Sequence, residues 1–361
     1  MRLPMLVNDL TQPLLSFAIP TYNFGKFIGQ TIRSIIEGAM TLKDYEYEIV
    51  VLDGGSDDDT SDVVTELALQ FRNIKYKKNP VRGGIDRDLN EVAGMATGMY
   101  VWLFSADDLL VEGWDCHIAP LLKLGKDAYL VPAELCDYYM GHLRNNPIFA
   151  VDNKDPIQFD FDGESKSIEA YLERANTLEA LFSFMSAVIV KNDVWHKLKD
   201  RPDYYGSCWA HCAKLLPLLF NDATIVYVNK YMIKKRGGND SFMENGFVSR
   251  IGLAVNGWGR IIFEFFKVNS QRNLLFQLLR KDMPMILFIY AKISAKDKQE
   301  VKRLDAICRD LYLNWSVPIG IKIHYAIYRL VPGATMLNRI LEPYLPLIIR
   351  VRHKIKARFN K

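Results

Sequence analysis

The first 135 residues alternate between short apolar runs and stretches whose apolar residues recur with a helical period. Their starts lie roughly 30 residues apart, which is the size of a strand–helix–strand unit with parallel strands. Strands that alternate with helices form a sheet covered on both faces, so this pattern predicts an α/β fold with a mostly parallel, Rossmann-like sheet. The predicted strands are 14–23, 47–55, 73–79, 100–108 and 127–135.

The stretches between these strands have the features of helices. "SDDDTSDVVTELALQF" opens with hydroxyls and acids, so the acids at 57–59 are interpreted as helix-start charges rather than ligands. The run at 73–79 is more polar than the others and is expected near an edge of the sheet. The polar segment 140–175 predicts a long connection or lid, and residues from about 248 onward read as helical. One apolar stripe of helical spacing consists of Phe27, Ile28, Ile32, Ile35 and Ile36.

Composition excludes several classes of protein. A net charge of +4 is too small to indicate nucleic acid as a partner. Five cysteines without paired spacing do not form a disulfide framework, which fits a reducing cytoplasm. No apolar run is long enough to span a bilayer, and the N-terminal "MRLPMLVNDLTQPLL" does not have the pattern of a signal peptide.

Polar residues follow three of the predicted strands where each strand ends. In a parallel sheet the carboxyl ends meet at one edge, and ligands bind there. Carboxylates at this edge suit Mg²⁺ or Mn²⁺, which take oxygen ligands. The alternative is that these positions are polar only because loops are polar. The strand-end residues are Thr21, Tyr22, Asn23, Asp53, Asp107 and Asp108.

Three segments taken in order resemble family 2 glycosyltransferases with the GT-A fold: "AIPTYNFGKFIGQTIRSI", "EIVVLDGGSDDDT" and "NPVRGGIDRDLNEVAGMATGMYVWLFSADD". These three segments contain four motifs whose order and spacing agree with those of the family over about residues 14–120. The later "GSCWAH" and "RGGNDSF" are similar to the abequosyltransferase branch, which adds a dideoxy sugar to a bacterial O-antigen unit.

The resemblance implies a domain organisation. A GT-A domain is expected at 1–245, with a nucleotide-binding half at about 14–135 and an acceptor half at about 136–245. A helical C-terminal region is expected at 246–361. Its end, "YLPLIIRVRHKIKARFNK", can form a basic amphipathic helix that lies on an anionic membrane surface, or it is a solubilising tail.

The resemblance also assigns a metal role to Asp107, the last acid of an Asp-x-Asp motif, with a divalent cation (Mg²⁺ or Mn²⁺) as cofactor. Ser105 replaces the first acid of that motif, which weakens metal affinity by ~1–2 kcal/mol. Ala106 belongs to the same segment, and Asp108 is implied to face the donor sugar or the metal. The alternative for Asp108 is a helix cap.

The family's nucleotide contacts match Pro20, Thr21 and Tyr22, with Tyr22 implied to stack on the base. Asp53 matches the acid that reads the base edge. Arg87 matches the arginine of an Ala-Arg-Asn motif, and it either pairs with Asp53 or approaches the nucleotide.

The asparagine of that Ala-Arg-Asn motif is replaced by Asp88. Further along the chain, Arg236, in the glycine-rich loop "KKRGGNDSF", is implied to contact phosphate. Its alternative is a solvated basic turn.

The catalytic base is the weakest part of the pattern. The acid pair of many family members falls on Ser207 and Cys208, neither of which is a carboxylate. His211 lies one helical turn further and is the first candidate to take the acceptor proton, and Asp203 is the second. The alternative for His211 is a structural role.

These features predict an inverting glycosyltransferase that moves a sugar from a nucleotide-diphosphate donor to a polyprenyl-linked or oligosaccharide acceptor in bacterial surface polysaccharide synthesis. It would be cytoplasmic and peripheral on the inner face of the inner membrane. Two alternatives stay open: a catalytically inactive nucleotide-sugar-binding protein, and a sugar nucleotidyltransferase.

Overall fold

The structure is a computed structural model that describes residues 12–151, 155–315 and 317–331. The N-terminal segment and the basic tail, for which the sequence made predictions, lie outside these residues. The strands of the described part are β1 (Leu15–Thr21), β2 (Tyr47–Asp53), β3 (Ile74–Lys78), β4 (Tyr100–Leu103), β5 (Leu109–Leu110), β6 (Ala128–Leu130), β7 (Ala133–Cys136), β8 (His142–Asn146), β9 (Ile157–Asp162), β10 (Val188–Lys191), β11 (Asp222–Tyr227) and β12 (Ile233–Lys235).

The helices alternate with the strands at first and follow one another at the end of the chain. They are α1 (Gly25–Gly38), α2 (Thr60–Gln70), α3 (Ile85–Gly94), α4 (Trp114–Leu122), α5 (Ser165–Arg174), α6 (Asn192–Lys197), α7 (Ala210–Leu215), α8 (Phe247–Phe265), α9 (Asn269–Asp282), α10 (Met285–Ser294), α11 (Lys298–Arg309) and α12 (Ile319–Leu330). In the part of the chain described, no helix is both long and apolar enough to cross a membrane.

The chain divides into two compact units. The described residues up to Tyr129, together with Met185–Lys199, form the first, and Leu130–Phe184 with the described residues from Asp200 onward form the second. The predicted division into a nucleotide-binding half, an acceptor half and a C-terminal region concerns function, and it stays a prediction.

The first unit contains a sheet with the strand order β3-β2-β1-β4-β10. Strands β1 to β4 are parallel, and β10 is antiparallel to β4. The polar strand β3 lies at the edge, as predicted. Every residue of β1, β2 and β4 is buried, as expected for parallel strands covered on both faces.

The helical stripe in α1 packs as its spacing predicts, with Ile28, Ile32 and Ile35 fully buried. The core also contains an aromatic cluster. Phe17 stacks on Trp102 at 5.2 Å between ring centroids and meets Trp114 edge-on at 5.1 Å. These contacts stabilise β1 against β4, and so fix the strand ends that carry the candidate site.

Two predictions about this region were wrong. The strand predicted at 127–135 is two strands, β6 and β7, that flank Pro132. Proline has no N–H for a sheet ladder, so the ladder ends before it. The segment predicted to be a long connection or lid, 140–175, instead contains the strands β8 and β9 and the helix α5.

The second unit contains two groups of paired strands and most of the helices. β9 pairs antiparallel with β11, with Phe159 opposite Ile225. β7 pairs parallel with β12 and antiparallel with β8. Helices α8 to α12 then follow one another up to Leu330, and over these residues they confirm the predicted helical C-terminal region. The observed architecture agrees with the predicted α/β fold.

Candidate active site

The carboxyl ends of β1 and β2 lie side by side in the first unit. Thr21 is opposite Asp53 in the parallel register, and the Gly54 N–H donates to the Thr21 carbonyl at 2.8 Å. On the other side of β1, the Phe104 N–H donates to the Ala18 carbonyl at 3.0 Å. The residues that follow β1, β2 and β4 therefore share one edge of the sheet, as the sequence predicts.

Asp53 is fully buried, and its carboxylate accepts three hydrogen bonds. Its Oδ1 accepts from the N–H groups of Gly55 (3.0 Å) and Ser56 (2.7 Å), and its Oδ2 accepts from the Tyr76 hydroxyl (2.9 Å). Burial, followed by contact with this carboxylate, raises the pKa of Tyr76 to about 12. Asp53 thus shapes the turn after β2, and its predicted contact with a base stays a prediction.

The turn after β1 is tied to the start of α2. Asn23 has φ +57, and its Oδ1 accepts from the Asp57 N–H at 3.0 Å. Asp58 Oδ2 accepts from the Gly25 N–H at 3.0 Å, and its Oδ1 accepts from the Thr60 N–H at 3.0 Å. Asp58 therefore acts at the starts of two helices, in agreement with the interpretation of 57–59 as helix-start charges.

Two polar side-chain atoms at this edge are buried, and neither has a hydrogen-bond partner among the described residues. They are Thr21 Oγ1 and Asp88 Oδ1. A Cβ added to Gly54 would lie 2.6 Å from Asp88 Oδ2, and one added to Gly83 would lie 2.3 Å from Oδ1. The Asp88 carboxyl thus fills space that only glycines leave open. Burial, reinforced by the charge of Glu91, raises its pKa to about 6.

Tyr22, predicted to stack on a base, is half-buried, and the Arg82 guanidinium lies 4.1 Å from its ring centroid. This cation–π contact covers one face of the ring. Pro20, before it, is buried in β1. Arg87 is exposed in the first turn of α3, and its charge opposes the rise in the pKa of Asp88.

The residues after β4 form a second cluster at the same edge. Asp107 and Asp108 are buried, and each receives a serine hydroxyl. Ser105 Oγ donates to Asp107 Oδ1, and Ser186 Oγ donates to Asp108 Oδ2 at 2.7 Å. Ser186 also accepts from the Ser105 N–H at 2.9 Å, which joins the two halves of the cluster.

Ala106, between the two serine–aspartate pairs, is buried, and its carbonyl accepts from the Thr31 hydroxyl at 3.0 Å. The donor set of the cluster is entirely oxygen, which fits Mg²⁺ or Mn²⁺ rather than zinc. Within the described ranges, no group of three or more His, Cys, Asp or Glu residues is arranged to hold a metal ion. Two carboxylates suit a cation that takes its other ligands from phosphate and water.

His211 lies on α7 in the second unit and is buried. Its Nε2 lies 3.0 Å from the Phe182 carbonyl. Since a carbonyl can only accept, Nε2 carries the proton, and in the neutral ring Nδ1 is the basic nitrogen. Phe182 has φ +67, an uncommon conformation for a residue with a side chain, so the acceptor is held by a constrained turn.

Asp203, the second candidate base, lies in an ion-pair network of the second unit. Its carboxylate pairs with Arg201 at 2.7 Å and with Arg260 at 2.7 Å. The hydrogen bond from Arg201 is the main cause that lowers the pKa of Asp203 to about 2. A carboxylate this acidic is a weak proton acceptor, which argues against Asp203 as the base.

The basic loop near β12 is also engaged inside the second unit. Lys235 donates to Glu179 at 3.0 Å, and its ammonium lies 3.9 Å from the Phe184 ring centroid. Arg236 is buried, and its Nη1 donates to the Tyr138 carbonyl at 2.6 Å. The contact of Arg236 with phosphate stays a prediction.

Three residues of the site were missed from the sequence: Tyr76, Arg82 and Ser186. Tyr76 could have been found, because it lies on the strand next to Asp53 in a run that alternates polar and apolar residues. Arg82 directly precedes the Gly83-Gly84 pair but belongs to no motif. Ser186 follows its aspartate partner by 78 residues, and no local pattern links the two.

Several known proteins are similar to this chain. A sequence model described as Glycosyl transferase family 2 matches residues 16–169. Abequosyltransferase RfbV of Salmonella typhimurium is 24% identical over 337 residues, which cover 91% of this chain and 100% of that protein. The GalNAc(5)-diNAcBac-PP-undecaprenol beta-1,3-glucosyltransferase of Campylobacter jejuni is 24% identical over 60% of this chain and 64% of its own length.

Solved structures show the same fold. S. aureus TarS 1-349 in complex with UDP-GlcNAc has a TM-score of 0.55 and 16% identity, over 86% of this chain and 83% of its own. Mannosyltransferase PcManGT from Pyrobaculum calidifontis, in complex with GDP-Man and Mn2+, has a TM-score of 0.50 and 16% identity, over 89% and 88%.

These matches favour a glycosyltransferase over a sugar nucleotidyltransferase. They also confirm the predicted family and the GT-A fold. Residues 16–169 form a glycosyl transferase family 2 domain, and the chain is a glycosyltransferase.

Proposed function

We propose that this glycosyltransferase moves a sugar, with inversion, from a nucleotide-diphosphate donor to a lipid-linked or oligosaccharide acceptor of bacterial surface polysaccharide. The similarity to RfbV supports this assignment, because it extends over 91% of the chain and so includes the second unit. The name of the Campylobacter relative describes an undecaprenol-linked acceptor, which supports a polyprenyl carrier.

The observation that carries the proposal is the pair of buried carboxylates after β4, each with a serine hydroxyl bound to it. Asp107 would hold a divalent cation, with Asp108 beside it. When bound, such a cation would neutralise the negative charge that develops on the leaving diphosphate. The serine contacts orient both carboxylates before the ligand arrives, which lowers the cost of ordering them.

The donor nucleotide would lie along the edge next to this pair. Thr21 Oγ1 and Asp88 Oδ1 are buried polar atoms that a ligand can satisfy. Tyr22 would stack on the base through the ring face that Arg82 does not cover, and Arg87 would approach the phosphates. In the second unit, Arg236 is the corresponding candidate for the diphosphate.

His211 is our first candidate for the base. As the acceptor hydroxyl attacks the anomeric carbon, the bond from that carbon to the diphosphate oxygen breaks, and the hydroxyl proton passes to His211 Nδ1. The Phe182 carbonyl would hold Nε2–H and so fix the tautomer. Asp203 ranks below it because of its two arginine partners. We place the reaction at the cytoplasmic face of the inner membrane.

Calorimetry on full-length protein tests the donor site. UDP, CDP, GDP and dTDP are titrated with Mn²⁺ or with EDTA, using the wild type, Asp107→Asn and the control Asp62→Asn, which changes an exposed acid on α2. We expect one nucleotide to bind in a metal-dependent way, with at least a ~10-fold loss in Asp107→Asn only, or about 1.4 kcal/mol. If EDTA leaves nucleotide binding unchanged in both Asp107→Asn and Asp62→Asn, the role of Asp107 as a metal ligand is excluded.

Donor hydrolysis separates an enzyme from an inactive binder. A transferase releases sugar slowly to water, whereas an inactive binder holds the donor without turnover. If His211 is the base, His211→Gln retains nucleotide affinity but loses ~10²-fold or more in transfer rate. Full transfer by His211→Gln would exclude His211 as the base.

A further inference from the structure

Helix α12 in the second unit exposes a row of large apolar side chains. Ile319 is 87% exposed, Ile323 62%, Ile327 50% and Leu330 83%. Their spacing of four, four and three residues puts them on one face of the helix. Single exposed apolar residues are common, but a continuous face of four usually marks an interaction surface.

The opposite side of α12 already makes the contacts that hold it to its own unit. Tyr328 is fully buried; its hydroxyl donates to Asp305 Oδ1 on α11 at 2.6 Å, and its carbonyl accepts from Lys292 Nζ on α10 at 3.2 Å. The apolar row is therefore not the face by which α12 packs on α10 and α11. Helix α10 shows a second, shorter exposed row of Ile286, Tyr290 and Ile293.

The charged side chains of α12 itself are all basic, and one of them, Arg329, lies 4.0 Å from Asp305 on α11. Helix α12 carries Lys322, His324 and Arg329 and no acid. In sequence alone, residues 332–361 contain seven lysines and arginines against one glutamate. An apolar face bordered by bases fits a surface that is apolar inside and negative outside.

We propose that the exposed face of α12 docks onto an anionic lipid surface, with the helix axis parallel to that surface. The helix has 12 residues, a length of ~18 Å, which is too short for a hydrocarbon core of ~30 Å. A second copy of the chain is a poorer partner for this face. In a two-fold contact the basic residues beside the two apolar faces would come close to each other, and α12 has no acid to offset their repulsion. The docking does not depend on which donor is used. Its link to a lipid-linked acceptor rests on the proposed function.

Vesicle sedimentation with the full-length protein tests this surface. Vesicles of phosphatidylcholine, with or without phosphatidylglycerol, are mixed with the wild type and with the double variant Ile323→Glu/Ile327→Glu. The control is Leu69→Glu, which puts a glutamate at a leucine that is 85% exposed on α2 in the first unit. Circular dichroism melts establish that all variants are folded.

We expect the wild type and Leu69→Glu to bind phosphatidylglycerol vesicles equally, and the double variant to bind at least ~10-fold more weakly. A second variant, Lys322→Glu/Arg329→Glu, should lose most of the preference for anionic over neutral vesicles. Nucleotide binding by calorimetry is measured on the same preparations and should not change, so a failed donor assay and a failed lipid assay are distinguishable.

Three results would overturn the proposal. Wild-type affinity in the double variant would assign lipid binding elsewhere, for example to residues 332–361. Equal binding to neutral and anionic vesicles would exclude a role for charge. A dimeric mass by light scattering that becomes monomeric in the double variant, together with no vesicle binding, would identify a second copy as the partner.

Discussion

The substitution Asp88→Asn should make this enzyme more stable at neutral pH. Asp88 is buried against Gly54 and Gly83, and its Oδ1 lacks a hydrogen-bond partner among the described residues. Asparagine has nearly the same shape and is the usual residue of the family motif. A neutral amide is less costly to bury than an ionised carboxylate.

The magnitude follows from the pKa. Burial raises the pKa of Asp88 from 3.8 to about 6, and roughly two pKa units correspond to about 3 kcal/mol. Between these values the folded protein holds a proton that the unfolded chain has lost, so this group lowers the free energy of unfolding as pH rises. The increase in the free energy of unfolding caused by Asp88→Asn should thus be small near pH 4 and should reach about 3 kcal/mol above pH 7.

Asp115, in the same unit, provides a comparison because its pKa is lowered, whereas that of Asp88 is raised. Burial opposes its ionisation, but the N–H groups of Met40 (3.0 Å), Thr41 (2.5 Å) and Leu42 (2.7 Å) outweigh burial and hold its pKa at about 2. The ionised form therefore stabilises the fold above pH 4, and this contribution is lost as pH falls toward 2. Asp115→Asn should lower the free energy of unfolding by about 2 kcal/mol at neutral pH.

Urea denaturation of the full-length protein at pH 5.0 and at pH 7.5 measures both effects, with tryptophan fluorescence as the signal. Six tryptophans are present, and Trp102 and Trp114 lie in the core of the first unit. The reasoning is refuted if Asp88→Asn is destabilising at pH 7.5, or if its effect does not change between the two pH values.

Three further substitutions test individual contacts. Tyr76→Phe removes a donor to the buried Asp53 and should lower the free energy of unfolding by about 1–2 kcal/mol in urea; an unchanged midpoint would contradict the contact. Gly259→Ala places a Cβ 2.5 Å from the Trp315 ring and should destabilise by about 1–3 kcal/mol in thermal melts, with partial recovery when Trp315→Phe is added. Ser186→Ala should weaken Mn²⁺-dependent nucleotide binding by ~10-fold in calorimetry, and a loss that is equal in EDTA would refute its action through the strand-end carboxylates.

The strand-end residues were found from sequence because their signal is local. Each follows an apolar run of the length of a buried strand, and parallel strands bring such ends to one edge. The same logic predicted the helical stripe of α1 and the edge position of β3. It failed at 127–135, where Pro132 ends a ladder inside a run that reads as one strand.

The roles of single polar residues were less accessible from the sequence. Asp203 reads as a base from its place near the family's acid pair, yet Arg260, 57 residues away, pairs with its carboxylate. His211 reads as one histidine on a helix, and the carbonyl of Phe182, 29 residues before it, indicates which nitrogen carries its proton.

The sequence by itself determined the order of the first four strands and the helices between them, the sheet edge that carries the acids, and the family. These depend on the periodicity and spacing of neighbouring residues. Only the tertiary structure decided which acids are paired, which buried polar atoms of the described residues lack a partner, and which apolar face stays exposed. Hydrogen bonds, burial and pKa shifts depend on groups that are distant in the chain, and no local pattern encodes those contacts.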